Sequence, residues 1–95
     1  MSSGVVDLDR DEITQGLSEG TITLVDVREP HEFAAGHIPG SISQPLSSFD
    51  PDRLRPAPAR VVFSCAAGVR SVIAIERARA AGLDLREHYG SVRSS

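Results

Sequence analysis

Two short apolar runs, each followed by a stretch with helical spacing, constrain this fold more than any other feature of the sequence. Residues 21–27 read Thr-Ile-Thr-Leu-Val-Asp-Val, and residues 60–64 read Arg-Val-Val-Phe-Ser. Such runs are typical of strands that a parallel sheet buries on both faces. Shorter extended segments are expected at residues 5–6, after a turn at residues 38–42, and at residues 85–89. The alternation predicts a three-layer α/β fold, with a mostly parallel sheet of about five strands and helices on both faces.

Local signals also mark helices and connections. Asp9 and Glu12 have the spacing of a capping box at the start of a first helix. An alanine-rich helix is predicted over residues 70–81. Residues 50–60 hold three of the six prolines, so a surface connection rather than a helix is expected there; these are Pro51, Pro56 and Pro58.

Length and composition exclude several classes of protein. With 95 residues, the chain is predicted to be a single domain over residues 1–95. Its 10 basic and 13 acidic residues give a net charge of −3, which provides no positive field for nucleic acid or an anionic membrane. The first residues, Met-Ser-Ser-Gly, lack a secretory signal, so a cytoplasmic location is expected. Only 4% of the residues are aromatic, and an aliphatic core is therefore predicted.

The single cysteine follows directly after the second apolar run. Cys65 therefore falls at the carboxyl end of a strand, where open α/β sheets bind their ligands. Backbone N–H groups of a turn built from small residues can converge on one anion, and the dipole of the next helix adds positive potential. This context favours a reactive thiolate over a small buried hydrophobe. The loop residues are Ala66, Ala67, Gly68, Val69, Arg70 and Ser71.

Two motifs resemble those of a known family. Residues 65–71, Cys-Ala-Ala-Gly-Val-Arg-Ser, resemble the active-site loop of rhodanese domains, the sulfurtransferase family. Residues 24–33, with Asp-Val-Arg-Glu-Pro, and residues 36–42, Gly-His-Ile-Pro-Gly-Ser-Ile, are similar to the N-terminal signature of that family. The motifs stand in family order across nearly the whole chain, which makes the match specific.

The resemblance implies a sulfur relay through Cys65. The cysteine takes a sulfane sulfur from a small anionic donor such as thiosulfate and becomes a persulfide. It then passes that sulfur to a thiol, cyanide or a protein acceptor. Residues 66–71 would bind the anionic groups, mainly through backbone donors. No metal or organic cofactor is implied.

Three further residues are expected to support the loop. Asp26 and Arg28 lie two residues apart at a strand end, so their side chains share one face. The resemblance implies that this pair is framework, and that His37 lies away from the nucleophile and holds a loop by hydrogen bonds. His31, His37, His88 and Cys65 lack the close spacing of zinc ligands, so no metal site is expected.

Two alternatives differ from sulfur transfer between small molecules. A rhodanese-like module can act as a binding module, or as a carrier that delivers sulfur only between proteins. The intact Cys65 argues against an inert module, since inert relatives typically lose that residue. Cysteine-dependent phosphatases use a longer loop than the four residues between Cys65 and Arg70. The short loop therefore favours sulfur transfer.

The chain departs from the family pattern at two places. Ala66 and Ala67 carry no charge, so anion binding is expected to depend on backbone N–H groups and Arg70, with thiosulfate a weak substrate. After Tyr89 the sequence has Gly-Ser where the family has Gly-Gly, and the final helix is expected to be short or missing. A partly uncovered sheet face would then favour a monomer of marginal stability or a weak dimer.

Overall fold

The computed structural model of the protein describes residues 4–54 and 60–92, and these residues form an open sheet flanked by helices. Its spatial strand order is β1-β5-β4-β2-β3, and every pairing is parallel. The strands are β1 (Val6–Asp7), β2 (Ile22–Asp26), β3 (Ile42–Ser43), β4 (Arg60–Ser64) and β5 (Glu87–Tyr89). The α-helices are α1 (Arg10–Glu19), α2 (Pro30–Ala35) and α3 (Val69–Ala80). The predicted α/β class with a parallel sheet is confirmed.

Alternating side chains of the two central strands build a core on each face of the sheet. On one face, Val61 and Phe63 pack in a cluster with buried residues of α3, which are Ala74, Ile75 and Ala78. On the other face, Leu24 and Val62 pack in a cluster with Ile13 of α1. Helices therefore cover both faces, and the predicted three layers are present.

Aliphatic side chains make up most of both cores, as expected, and an aromatic ring joins each of them. Phe63 is fully buried near the end of β4, and Phe49 packs against its ring edge-on at a centroid distance of 5.6 Å. Tyr89 is buried in the opposite core at the end of β5. Composition counts aromatic residues without locating them, and a single ring fills more core volume than an aliphatic side chain.

The helix boundaries follow the local sequence signals. Asp9 Oδ1 accepts the Glu12 N–H at 2.8 Å, and Glu12 Oε1 accepts the Asp9 N–H at 3.1 Å, which confirms the capping box. Helix α3 lies one residue earlier than predicted at each end. Pro51–Leu54 forms a 3₁₀ helix, and a further one spans Leu46–Ser48. The expectation of no helix near Pro51 was thus wrong, because proline fits the first turn of so short a helix. Residues 55–59 of the predicted connection lie outside the described residues.

An ion pair buried at the end of β2 connects this strand to α2. Arg28 Nη2 lies 2.8 Å from Asp26 Oδ2, and both side chains are 1% exposed. The same nitrogen donates to the Gly36 carbonyl at 2.8 Å, directly after α2. Asp26 Oδ1 also accepts the Arg28 backbone N–H at 3.0 Å. The pair therefore fixes both the strand end and the position of α2.

The segment after β5 contributes to the second core. Val92 is 2% exposed and packs in one cluster with Leu8 and Tyr89. This apolar contact covers part of that face of the sheet. Residues 93–95, which belong to the place predicted for a short or missing final helix, lie outside the described residues.

We predict that Arg28→Met lowers the free energy of unfolding by about 3–5 kcal/mol, because it leaves the buried Asp26 carboxylate without its counter-charge. Asp84 and Arg86 provide a control with the same spacing, since their ion pair is exposed (79% and 44%). Arg86→Met is expected to leave the free energy of unfolding nearly unchanged, because water screens the exposed pair. Urea unfolding followed by circular dichroism measures both losses, and equal losses would contradict the prediction.

Candidate active site

Cys65 lies between the end of β4 and the start of α3. Its backbone N–H donates to the Tyr89 carbonyl, and its carbonyl accepts the Val92 N–H, each at 3.1 Å. The side chain is buried, with the residue 1% exposed. Both backbone groups of Cys65 are therefore bonded to the chain at the end of β5, and this fixes the direction of the thiol.

Three polar groups converge on the Cys65 sulfur. The Gly68 N–H lies 3.0 Å from Sγ, while the Ser71 N–H and the Ser71 hydroxyl each lie 3.3 Å from it. Ser71 is in the first turn of α3, where N–H groups have no partner within the helix. Burial raises the pKa of the Cys65 thiol, but the hydrogen bonds from Ser71, Ala67 and Gly68 outweigh it and leave that pKa below its usual value. The arrangement stabilises a thiolate.

Two glycines allow a backbone contact between the loop of residues 65–71, here called the Cys65 loop, and the chain after β5. Gly68 has φ +83°, a left-handed conformation that favours glycine. A Cβ on Gly90 would lie 2.7 Å from Gly68 Cα and 3.0 Å from Gly68 N, closer than real side chains approach. The Gly68 N–H that bonds Cys65 Sγ is therefore held in place by the bare backbone of Gly90.

The Arg70 side chain forms an ion pair with Glu32 of α2. Its Nη1 and Nη2 lie 2.5 Å and 2.9 Å from the two Glu32 carboxylate oxygens, and the side chains are 30% and 25% exposed. Hydrogen bonding to the guanidinium lowers the pKa of Glu32 to about 2. Sequence reasoning placed Arg70 as a cation for the substrate and assigned no role to Glu32. The signal was present, since Glu32 belongs to the second family motif.

The other side chains of the Cys65 loop are either exposed on the surface or buried beneath it. Ala66 and Ala67 are exposed, and Val69 is 65% exposed. Ser71 is fully buried and faces Cys65. The loop therefore presents small neutral side chains to solvent and turns its hydrogen-bond donors inward.

His37 lies on the surface at the end of α2. Its Nδ1 is 2.8 Å from the Phe33 carbonyl, and its ring stacks on the Phe33 ring at a centroid distance of 3.7 Å. The structure records no contact between His37 and the Cys65 loop among the described residues. His37 therefore helps to fix the chain after α2, beside the Arg28–Gly36 hydrogen bond.

His88 is the side chain that sequence reasoning missed, having considered it only as a metal ligand. It is 8% exposed in β5, and its Nδ1 lies 2.8 Å from the Ser71 hydroxyl. No signal in the sequence pointed to this contact, because only the strand order brings the end of β5 beside the Cys65 loop. Within residues 4–54 and 60–92, no three His, Cys, Asp or Glu side chains gather where they could hold a metal ion.

The family follows from a comparison that covers most of the chain. The family described as Rhodanese-like domain matches residues 9–93. The chain belongs to the rhodanese-like domain family. The Cys65 loop and the motif containing Asp26 and Arg28 both lie inside the matched region.

Individual relatives share the domain rather than a whole architecture. An uncharacterised Synechocystis protein, slr1261, is 39% identical over 67 residues, which cover 70% of this chain and 37% of that protein. Mouse thiosulfate sulfurtransferase/rhodanese-like domain-containing protein 3 is 34% identical over 93 residues, covering 82% of this chain and 59% of the relative. The chain thus spans less than two thirds of either protein. The solved structure of the human single-domain sulfurtransferase TSTD1 is 31% identical with a TM-score of 0.69, covering 90% of this chain and 89% of the human one.

We predict that Gly90→Ala raises the pKa of the Cys65 thiol, because the new Cβ pushes the Gly68 N–H away from Sγ. The overpacking is also expected to cost about 1–3 kcal/mol of stability. Ser91→Ala, at the exposed neighbouring position, is the matched control and leaves both quantities unchanged. The pH dependence of thiolate absorbance measures the first effect and urea unfolding the second. A Gly90→Ala thiol that titrates like the control would disprove the close-contact explanation.

Proposed function

We propose that the protein is a sulfurtransferase in which Cys65 carries sulfane sulfur as a persulfide. The observation that carries this proposal is the convergence of the Gly68 N–H, the Ser71 N–H and the Ser71 hydroxyl on one buried sulfur. These groups favour the thiolate, which is the nucleophilic form of cysteine. Membership of the rhodanese-like family and similarity to a human single-domain sulfurtransferase support the same reaction.

The reaction consists of two displacements at sulfur. In the first, the Cys65 thiolate attacks the outer sulfur of thiosulfate, a new S–S bond forms, and sulfite leaves with the electron pair of the broken S–S bond. In the second, an acceptor thiolate or cyanide attacks the outer persulfide sulfur, and Cys65 leaves as a thiolate. The sulfane sulfur keeps its oxidation state as it passes from donor to acceptor, so no further oxidant or cofactor is consumed.

The loop backbone stabilises the negative charge at each stage. The thiolate and the persulfide are both anionic, and fixed N–H dipoles in a site without bulk water stabilise such charge without reorganising. Within this proposal, Gly68 and Ser71 are the main donors, and Arg70 provides the positive charge at the loop. Asp26, Arg28 and His37 act as framework, since Asp26 and Arg28 join β2 to the end of α2 and His37 bonds to Phe33 of α2.

The surface around the loop favours a protein acceptor as the second candidate function. Ala66 and Ala67 offer no charge to a small dianion, Arg70 is already paired with Glu32, and Val69 exposes an apolar side chain. A protein-to-protein sulfur carrier would use such a neutral rim, while thiosulfate would bind weakly.

No described helix is long and apolar enough to cross a membrane.

The proposal is tested by incubating the protein with thiosulfate, or with an organic persulfide, and measuring its intact mass. A gain of one sulfur atom is expected in the native chain and not in Cys65→Ser, because this chain has no second cysteine. A gain from the organic persulfide alone would support the carrier. No gain from either donor would reject sulfur transfer, and Cys65-dependent hydrolysis of an aryl phosphate would establish a phosphatase instead.

We predict that Glu32→Gln lowers the KM for thiosulfate, because it releases the Arg70 charge for the donor while keeping the acceptor oxygen for the Glu29 N–H. A partly exposed pair is worth up to about 1 kcal/mol, so the decrease is expected to reach about fivefold. Steady-state kinetics at low ionic strength measures it, and added salt should reduce the difference.

Arg70→Gln provides the opposite control and is expected to raise the KM for thiosulfate. The carboxylate pKa of about 2 means that Glu32 stays ionised throughout the usable pH range, so acidification to pH 5 should not imitate Glu32→Gln. A KM that is insensitive to both substitutions would show that Arg70 takes no part in donor binding.

A further inference from the structure

We infer that Ser71 and His88 form a buried proton relay that sets the ionisation of Cys65. The inference rests on the proposed function, in which the Cys65 thiolate is the nucleophile. Ser71 touches the reacting sulfur, and His88 acts through Ser71 as a positioning residue. The family motif contains Ser71, whereas His88 comes from β5 and lies outside both motifs.

The relay is a continuous line of hydrogen-bonding atoms. Cys65 Sγ lies 3.3 Å from Ser71 Oγ, and Ser71 Oγ lies 2.8 Å from His88 Nδ1. Ser71 is fully buried and His88 is 8% exposed, so bulk water does not compete along this path. A Cβ added to Gly68 would lie 3.7 Å from His88 Cε1, so the imidazole lies beside the Cys65 loop.

The atoms allow a proton to move without forming a serine alkoxide. In the neutral state the thiol S–H donates to Ser71 Oγ, and the Ser71 O–H donates to His88 Nδ1. Ser71 takes the thiol proton as it gives its own proton to the imidazole. The electron pair stays on sulfur, so the products are a thiolate and an imidazolium, and nothing is oxidised. Histidine suits this step because its ordinary pKa lies near neutrality.

The charges around the relay favour the separated ions. On β1, Asp7 Oδ1 lies 4.0 Å from His88 Nε2, although 75% exposure of the Asp7 side chain weakens its effect. On α3, the Arg70 charge acts on Cys65. The neighbouring Glu87 of β5 is paired with Arg60.

Among the described residues, Cys65 is the titratable group that reaches His88 through Ser71. Removing either end of the relay should therefore change the protonation of the other end.

A thiolate titration distinguishes this relay from a purely structural Ser71–His88 contact. The ultraviolet absorbance of the thiolate is recorded against pH, and the Cys65→Ser spectrum is subtracted to isolate the one cysteine. Ser71→Ala and His88→Asn are expected to move the midpoint to higher pH, with a several-fold loss of thiolate at neutral pH. Ser71→Thr keeps the hydroxyl and should titrate like the native chain. In His88→Asn, the asparagine side chain still offers a hydrogen-bonding group near the position of Nδ1 but cannot take up the proton.

Nuclear magnetic resonance of the imidazole provides the reciprocal measurement. The chain has three histidines, which allows His88 to be followed individually. In Cys65→Ser, His88 is expected to titrate at lower pH than in the native chain, because the stabilising thiolate is gone. Thermal unfolding by circular dichroism verifies that each variant folds.

An unchanged thiolate midpoint in a folded His88→Asn variant would overturn the relay, as would a His88 titration that is the same with and without Cys65. Neither measurement uses a sulfur donor, so they remain informative whatever the persulfide experiment gives. If the native chain takes up no sulfur while the two titrations are coupled, the proposed function fails and the relay stands. If sulfur is taken up and the titrations are independent, only the relay fails.

Discussion

The site depends on backbone contacts between the Cys65 loop and the chain that follows β5. Cys65 bonds through its N–H to Tyr89 and through its carbonyl to Val92, and Gly90 packs directly on Gly68. Contacts between main-chain atoms cannot relax by changing a rotamer, so they hold the loop N–H groups in one orientation. The sulfur is consequently surrounded by fixed protein donors instead of water, and this orientation is formed before any substrate arrives.

Two pairs of side chains lie on opposite sides of this fixed loop, and they differ in exposure. Glu32 and Arg70 form a partly exposed ion pair on the outside, within reach of a dissolved donor. Ser71 and His88 form a buried hydrogen bond on the inside, largely shielded from solvent. Exposed charges act mainly on encounter and binding of an ionic ligand, whereas buried groups act on the protonation of the sulfur. In the proposed function, the outer pair would act mainly on donor affinity and the inner pair on the ionisation of the thiol.

Local sequence signals predicted the parts of the fold that local interactions determine. The run at residues 60–64 and the capping box at Asp9 were recognisable because each needs only neighbouring residues. The Arg70–Glu32 pair joins residues 38 apart, and the Ser71–His88 pair joins residues 17 apart. Neither spacing predicts a contact, because only the order of the strands in the sheet brings their carboxyl ends together. For the same reason composition did not locate Phe63 in the core.

Backbone groups bind the sulfur, whereas the outer side chains of the loop face solvent. This difference determines what a match to the family can establish about the site. Backbone N–H groups perform most of the bonding to sulfur, and they remain when Ala66, Ala67 or Val69 is replaced. A chain with this loop pattern can thus keep the chemistry while its outer side chains vary. In the proposed reaction, groups that face solvent would select the sulfur donor, and the Arg70–Glu32 pair carries charge among them. Because the two charges of this pair balance, selection between small dianions and protein persulfides in the proposed reaction would depend on which ligand can separate them.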